Sequence, residues 1–259
     1  MYKMKSQIII FEGNMNDGLF TKNKKFYPDN YSEDDIYEAY KKVRIVLGKK
    51  YGFSGLKMFQ VKQKMEDNDI YPDDKAIIIN KKYMKKDDYF KEIIEADILI
   101  ISNKYPEVAI VHGMADCPIL IAEDRKKGVS ALVHCGIYHI NRGLPKAFIK
   151  SLIEKCESNP EDIYLYIGSH IKKESYIYDN YPPKATNKEI WKGAIEEKED
   201  GFHIDLEKAI LNQLEDFKLG EIIISNIDTS KDDRYASHYE SYKGNVNKKG
   251  QNIVGFYYK

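Results

Sequence analysis

Two short segments hold the residues best suited to chemistry. Ala115-Asp116-Cys117-Pro118 lies between two apolar runs, so its carboxylate and thiol fall in a loop at a strand edge, where a rigid scaffold can present them. Ala131-Leu132-Val133-His134-Cys135-Gly136 ends another apolar run with a histidine just before a glycine. A thiol and an imidazole brought together can carry protons or form a nucleophile-base pair. Cys117 and His134 are seventeen positions apart, and they are expected to meet because each closes its own strand and the polar turn at 123–128 joins the two. Cys135 belongs elsewhere, since adjacent strand residues point to opposite faces. Cys156 lies on an apolar helix stripe and reads as a small core hydrophobe.

Alternating helical and strand patterns must position these residues. A 3.6-residue stripe of Ile36, Ala39, Tyr40, Val43 and Leu47 predicts a helix over 32–48, with Ser32 as N-cap and Asp35 three residues on. Further helices are expected over 144–156, through Phe148, Leu152 and Cys156, and over 206–217, ending at Gly220. Runs rich in β-branched and aromatic residues predict strands at 8–11, 56–61, 76–79, 98–101, 108–114, 119–121, 129–135, 163–167, 222–225 and 253–258. Several are apolar on both faces, as strands covered on both sides are. The expected fold class is α/β, a single domain over 1–259 with mixed β-sheet layers flanked by helices. No repeat, low-complexity tract or linker marks a boundary. The charge clusters at 81–88 and 196–200 read as solvated loops or helix ends.

The 259 residues carry 41 Lys+Arg against 41 Asp+Glu, so no global field attracts a nucleic acid or an anionic membrane. Hydrophobic content of 42% and a mean hydropathy of −0.57 suit a water-soluble globule. No apolar run approaches the ~20 residues of a membrane helix. The start, MYKMKSQIIIF, lacks a signal-peptide pattern, and three cysteines are too few to staple such a chain, so a cytoplasmic location with reduced thiols is expected. Arginine occurs only at 44, 125, 142 and 234, leaving few positions for bidentate recognition of phosphate. The 21 tyrosines are scattered and read mostly as packing.

The order of the motifs adds more than any one of them. Gly18-Leu19-Phe20-Thr21-Lys22, Phe59-Gln60-Val61-Lys62, Ala96-Asp97-Ile98-Leu99, Ala115-Asp116-Cys117 and Val133-His134-Cys135-Gly136 follow one another. Ile167-Gly168-Ser169-His170-Ile171, Ile204-Asp205-Leu206, Asn212-Gln213-Leu214 and Gly220 come next, and the segment 237–251 closes the series. In order and spacing the chain resembles the laccase-domain family, formerly labelled multicopper polyphenol oxidases and known for purine nucleoside phosphorylase activity (the YfiH-like proteins). The resemblance spans nearly the whole chain and implies a YfiH-like sandwich, similar also to Cys-His deamidases. It implies a zinc ion held by a histidine in the glutamine-valine-histidine motif, by Cys117 and by His134. A Cys/His/His set with one open position suits a catalytic zinc.

Here Lys62 stands where that first histidine is expected, and an ammonium is not a ligand. Little tightly bound zinc is therefore expected unless His112, five residues before Cys117, or His170 supplies the third donor. Tyr138, Lys22 and Gln251 replace family arginines, which thins the equipment for anions. His139, His203 and His238 have no spacing argument and read as surface or hydrogen-bonded residues.

The resemblance implies an enzyme on purine nucleosides, by phosphorolysis or deamination, with inorganic phosphate as co-substrate. Cys117, His134, Asp116 and Lys62 are then the catalytic candidates, and Lys22, Gln60 and Tyr138 the substrate- and phosphate-binding ones. A metal-free Cys-His hydrolase or deamidase is the alternative, with Lys62 favouring the thiolate of Cys117, and a non-catalytic purine- or protein-binding relative is the third. The sequence does not favour true laccase chemistry, since a multicopper site needs many His ligands and the six scattered histidines contain no His-x-His pair.

Overall fold

The computed structural model of the protein describes residues 6–20, 22, 24–61, 63, 76–89 and 94–259. In chain order the strands and helices are β1 (Ile8–Gly13), α1 (Glu33–Tyr51), β2 (Met58–Gln60), β3 (Ala76–Ile78), β4 (Ile98–Ser102), β5 (Ala109–Met114), β6 (Ile119–Asp124) and β7 (Val129–His134). There follow α2 (Ile137–Asn141), α3 (Leu144–Cys156), β8 (Ile163–Ile167), β9 (Ile177–Tyr178), β10 (Ile195–Lys198) and β11 (Gly201–Ile204). The last are α4 (Leu206–Leu214), β12 (Glu221–Ile224), α5 (His238–Tyr242) and β13 (Asn252–Tyr258).

A mixed six-stranded sheet runs β12-β8-β6-β7-β4-β3, a mixed four-stranded sheet runs β1-β13-β5-β2, and β10-β11-β9 form a small antiparallel sheet. The strand pleat sorts residues between layers. On the larger sheet Ile98, Ile100, Leu120, Ala122, Ala131 and Val133 face a core shared with α3 and α4. Their neighbours Leu99, Ile101, Ile119, Ile121 and Leu132 instead meet Phe59, Ile110, Val254 and Phe256 of the smaller sheet. On that sheet's far face Met58, Val111, Ile253 and Tyr257 pack with Tyr40 and Leu47 of α1. The order is therefore helix, sheet, sheet, helices. The double-sided apolar strands noted in the sequence arise because both faces are covered.

The helix expected at 32–48 is present and one turn longer. Ser32 caps it, its Oγ accepting from the Asp35 N–H at 3.1 Å while the Asp35 carboxylate accepts from the Ser32 N–H at 2.9 Å. Gly52 ends it in the left-handed conformation. The helix over 144–156 is as expected, whereas the one starting at Leu206 stops at Leu214. Residues 81–87 form an exposed or half-exposed turn and loop, as expected, while the other charged cluster and Asp88 differ from expectation. Residues 195–198 form β10 and 199–200 its turn, the strand edge being held by a 2.7 Å ion pair from Lys173 to Glu196. Asp88 is buried beneath Arg44, which grips both carboxylate oxygens at 2.9 and 2.8 Å. Among the described residues no helix is long and apolar enough to cross a membrane.

Candidate functional site

The two motif segments are clipped together by their backbones. The Cys135 N–H donates to the Pro118 carbonyl at 2.9 Å, extending the register in which Ile119 faces His134. His134 shares strand parity with Leu132 and so points between the sheets, whereas Cys135 joins the opposite core, as the pleat demands. From the smaller sheet His112, in phase with Ile110, enters the same gap. The two imidazoles stack at 4.7 Å with an interplanar angle of 22°.

His139, on the first turn of α2, adds a third ring, edge-on to His134 at 5.3 Å. Gly136 marks where these groups converge. A Cβ there would lie 3.1 Å from the Cys117 sulfur, 3.6 Å from His139 Nδ1 and 3.7 Å from His134 Cε1. A Cβ there would crowd the thiol and touch both rings, so Cys117 and His134 share one small space, as expected. His139 was read from sequence as a surface or hydrogen-bonded residue; it is buried in the cluster. Its signal was the five-residue step from His134 across a glycine into a helix.

Neutral imidazoles are favoured here. Burial pushes His112 and His139 down to about 4, and burial followed by the neighbouring imidazoles pushes His134 well below its ordinary value. His112 Nδ1 lies 3.1 Å from the Val61 carbonyl, which can only accept, so Nδ1 carries the proton. His134 Nδ1 lies 2.7 Å from Gln63 Oε1, and the amide of Gln63 donates back to the His134 carbonyl at 2.9 Å. In both rings Nε2 is left with its lone pair. Burial, then the Asp116 charge, pushes the Cys117 thiol up to about 12, with Lys184 acting the other way. A neutral thiol beside neutral imidazoles is a proton-carrying arrangement and does not favour a thiolate-imidazolium pair.

Asp116 occupies the left-handed region at φ 78° and fixes the C-terminal segment over the site. Its carboxylate accepts from the Thr229 hydroxyl and from the Tyr239 N–H, both at 2.7 Å. Tyr239 in turn donates its hydroxyl to the Ile177 carbonyl at 2.6 Å. Between these parts opens a cleft of about 670 Å³ with Cys117 and Asp116 among its lining residues and Tyr176, Tyr178 and Tyr239 in its walls. Tyr176 stands edge-on to Tyr178 at 5.3 Å and to Tyr239 at 5.5 Å. The scattered tyrosines were expected to serve packing; the tyrosine-x-tyrosine step at 176–178, running into β9, was the available signal, since i and i+2 of extended chain share a face.

The remaining candidates lie elsewhere. The pleat puts Gln60 on the face opposite Phe59 and Val61, toward the α1 layer, and Gln63 is the glutamine that touches His134. Tyr138 is half-buried, 5.7 Å from the His139 ring, and its hydroxyl accepts from Arg142 at 3.2 Å. Lys22 is exposed, and Lys62 lies outside the described residues. His170 is buried with its Nδ1 2.7 Å from the Gly168 carbonyl and its Nε2 3.6 Å from Glu207, so the structure does not bring it to Cys117. Among the described residues no group of three or more His, Cys, Asp or Glu is arranged to hold a metal ion. Cys117 and His134 alone do not make up the Cys/His/His set that the resemblance implies, so the described residues do not fit a zinc ion.

The fold matches that of solved proteins. It overlaps the hypothetical protein YfiH of Bacillus licheniformis with a TM-score of 0.66 at 19% identity, covering 86% of this chain and 82% of that one. It overlaps YlmD of Geobacillus stearothermophilus with a TM-score of 0.67 at 18% identity, covering 86% and 81%. A curated relative, a purine nucleoside phosphorylase of Clostridium acetobutylicum, is 30% identical over 148 residues, which are 56% of this chain and 60% of that protein's length. The family described as multi-copper polyphenol oxidoreductase laccase matches residues 33–254, a span that includes Cys117, His134 and the walls of the tyrosine cleft, and the chain belongs to that family.

Proposed function

We propose that the protein is an enzyme acting on purine nucleosides, cleaving the N-glycosidic bond with phosphate. The observation that carries this reading is the tyrosine-walled cleft that ends on Cys117 beside the imidazole cluster. A flat heteroaromatic base stacks or packs edge-on against such rings. The named activity of the Clostridium acetobutylicum relative points the same way.

In the reaction a phosphate oxygen bonds to the ribose C1′ as the bond from C1′ to the purine nitrogen breaks, and its electron pair passes to the base. The departing base needs a proton, and the incoming phosphate benefits from losing one. Cys117, which lines the cleft, is the proposed hydrogen-bond donor toward the departing base, and the neighbouring His134 the proposed acceptor. Asp116 acts as a positioning residue through Tyr239.

Incubation of the purified protein with adenosine, inosine or guanosine in phosphate buffer is expected to release free base and ribose 1-phosphate. His134→Ala and Cys117→Ala are each expected to lower turnover at least about a hundredfold, the usual scale of a lost proton carrier. Absence of base release with all three nucleosides refutes the proposal. Ammonia release from adenosine without base release replaces it with a deamination.

A further inference from the structure

Gln63 lies one residue past the motif Phe59-Gln60-Val61-Lys62, and no motif assigns it a role. It is half-buried and follows β2 closely in the chain. Its amide makes two hydrogen bonds to a single residue. Nε2 donates to the His134 carbonyl at 2.9 Å, and Oε1 lies 2.7 Å from His134 Nδ1.

The first bond decides the second. A main-chain carbonyl only accepts, so the NH2 end of the amide must face it, and the oxygen end is left for the ring. An amide oxygen also only accepts, so the one ring proton of a neutral His134 sits on Nδ1 and Nε2 keeps its lone pair. The backbone of His134 thus fixes, through Gln63, the tautomer of its own side chain. Two residues earlier the Val61 carbonyl does the same for His112, whose Nδ1 lies 3.1 Å away. One short segment therefore sets both stacked imidazoles, although they come from different sheets. Gln63 is not among the described residues that line the tyrosine cleft, so its effect on a ligand there passes through His134.

We infer that Gln63 is a positioning residue, which locks His134 in the tautomer whose Nε2 accepts a proton. The inference rests on the proposed part of His134 in purine nucleoside cleavage and deepens it, while the lock itself stands on geometry alone.

Tautomers and kinetics test it separately. Long-range proton–nitrogen NMR correlation of protein carrying isotope-labelled histidine reads which ring nitrogen holds the proton, and comparison with His134→Gln assigns the signals. Wild-type protein is expected to show His134 protonated at Nδ1. Gln63→Leu removes both hydrogen bonds and is expected to give a mixture of tautomers at His134, while His112 keeps its own. Gln63→Glu retains an oxygen that accepts from Nδ1, whether or not its carboxyl is ionised, and is expected to restore the wild-type pattern. With adenosine, inosine or guanosine in phosphate, Gln63→Leu is expected to lower kcat at least about tenfold with KM within about twofold, and Gln63→Glu to recover most of that loss. Partial unfolding also lowers the apparent kcat, but it leaves the tautomer of the folded fraction unchanged, so the NMR signal separates the two. Unchanged His134 protonation in Gln63→Leu overturns the lock, and a changed tautomer with unchanged kcat overturns its part in catalysis. Wild-type protein that shows the tautomer but releases no base refutes the proposed reaction and leaves the lock standing.

Discussion

Asp116 shows how much one residue carries at the site. It adopts a backbone conformation that a side chain disfavours, and it does so to aim a carboxylate at Thr229 and Tyr239. Asp116→Ala keeps the strained φ and loses both hydrogen bonds, so a destabilisation of about 2 to 3 kcal/mol is expected in urea unfolding. Asp116→Gly loses the same bonds but relieves the backbone and should recover about 1 kcal/mol of that loss. Equal stability of the two variants would show that φ carries no cost. In both, loosening of Tyr239 should raise KM for a purine nucleoside more than it lowers kcat. A second prediction at this scale belongs to Lys62, on sequence alone. If the motif Gln60-Val61-Lys62 marks the end of the family's zinc-ligand segment, Lys62→His completes a Cys/His/His set and increases zinc affinity more than any other single substitution. Metal analysis after dialysis against a mild chelator checks it, and unchanged zinc content in Lys62→His removes residue 62 from the site.

At the scale of elements, the start of α4 is tied to the turn after β8 by charge. Lys172 Nζ lies 3.1 Å from Glu207, His170 Nε2 lies 3.6 Å from it, and Lys172 also donates to the Ser225 carbonyl at 2.6 Å. The neighbouring His170 imidazole, then the Lys172 ammonium that hydrogen-bonds it, hold the Glu207 carboxyl at about 2, below its ordinary value of 4.5. A carboxylate with a depressed folded pKa stabilises fully above its unfolded value, and that contribution fades as pH falls toward the folded one. Glu207→Gln is therefore expected to cost about 1 to 2 kcal/mol at pH 7, allowing for solvent screening of a side chain 31% exposed. The gap between variant and wild type should close between about pH 5 and pH 2. A gap independent of pH would mean that Glu207 acts through packing instead of charge.

For the whole molecule, the layers are interlocked by the last strand. β13 lies between β1 and β5, is buried along its whole length, and contributes to both the core between the sheets and the core under α1. The smaller sheet is complete only with this C-terminal strand, and the long sequence separation of its pairing with β1 is expected to slow folding. Deletion of residues 252–259 is expected to abolish the cooperative thermal transition, not merely lower it, because β1 loses the strand it pairs with and β5 is left with the short β2 alone. Calorimetry of the intact chain should show one transition with matching calorimetric and van't Hoff enthalpies. A truncated protein that still melts cooperatively would show that the larger sheet and its helices fold alone.

The sequence by itself determined the strands that are apolar on both faces, the capped helix α1, the helix α3 and the meeting of Cys117 with His134. Each depends on local information: period, caps, and the polar turn that returns one strand beside the next. It did not disclose β9, β10 and β11, whose two to four residues are too few to show a period. Nor did it place His112 and His139 against His134, or gather Tyr176 with Tyr239, because those pairs come from different layers. Residue spacing along one strand fixes which face a side chain takes. Only the packing of sheet on sheet decides which distant side chain it will find there.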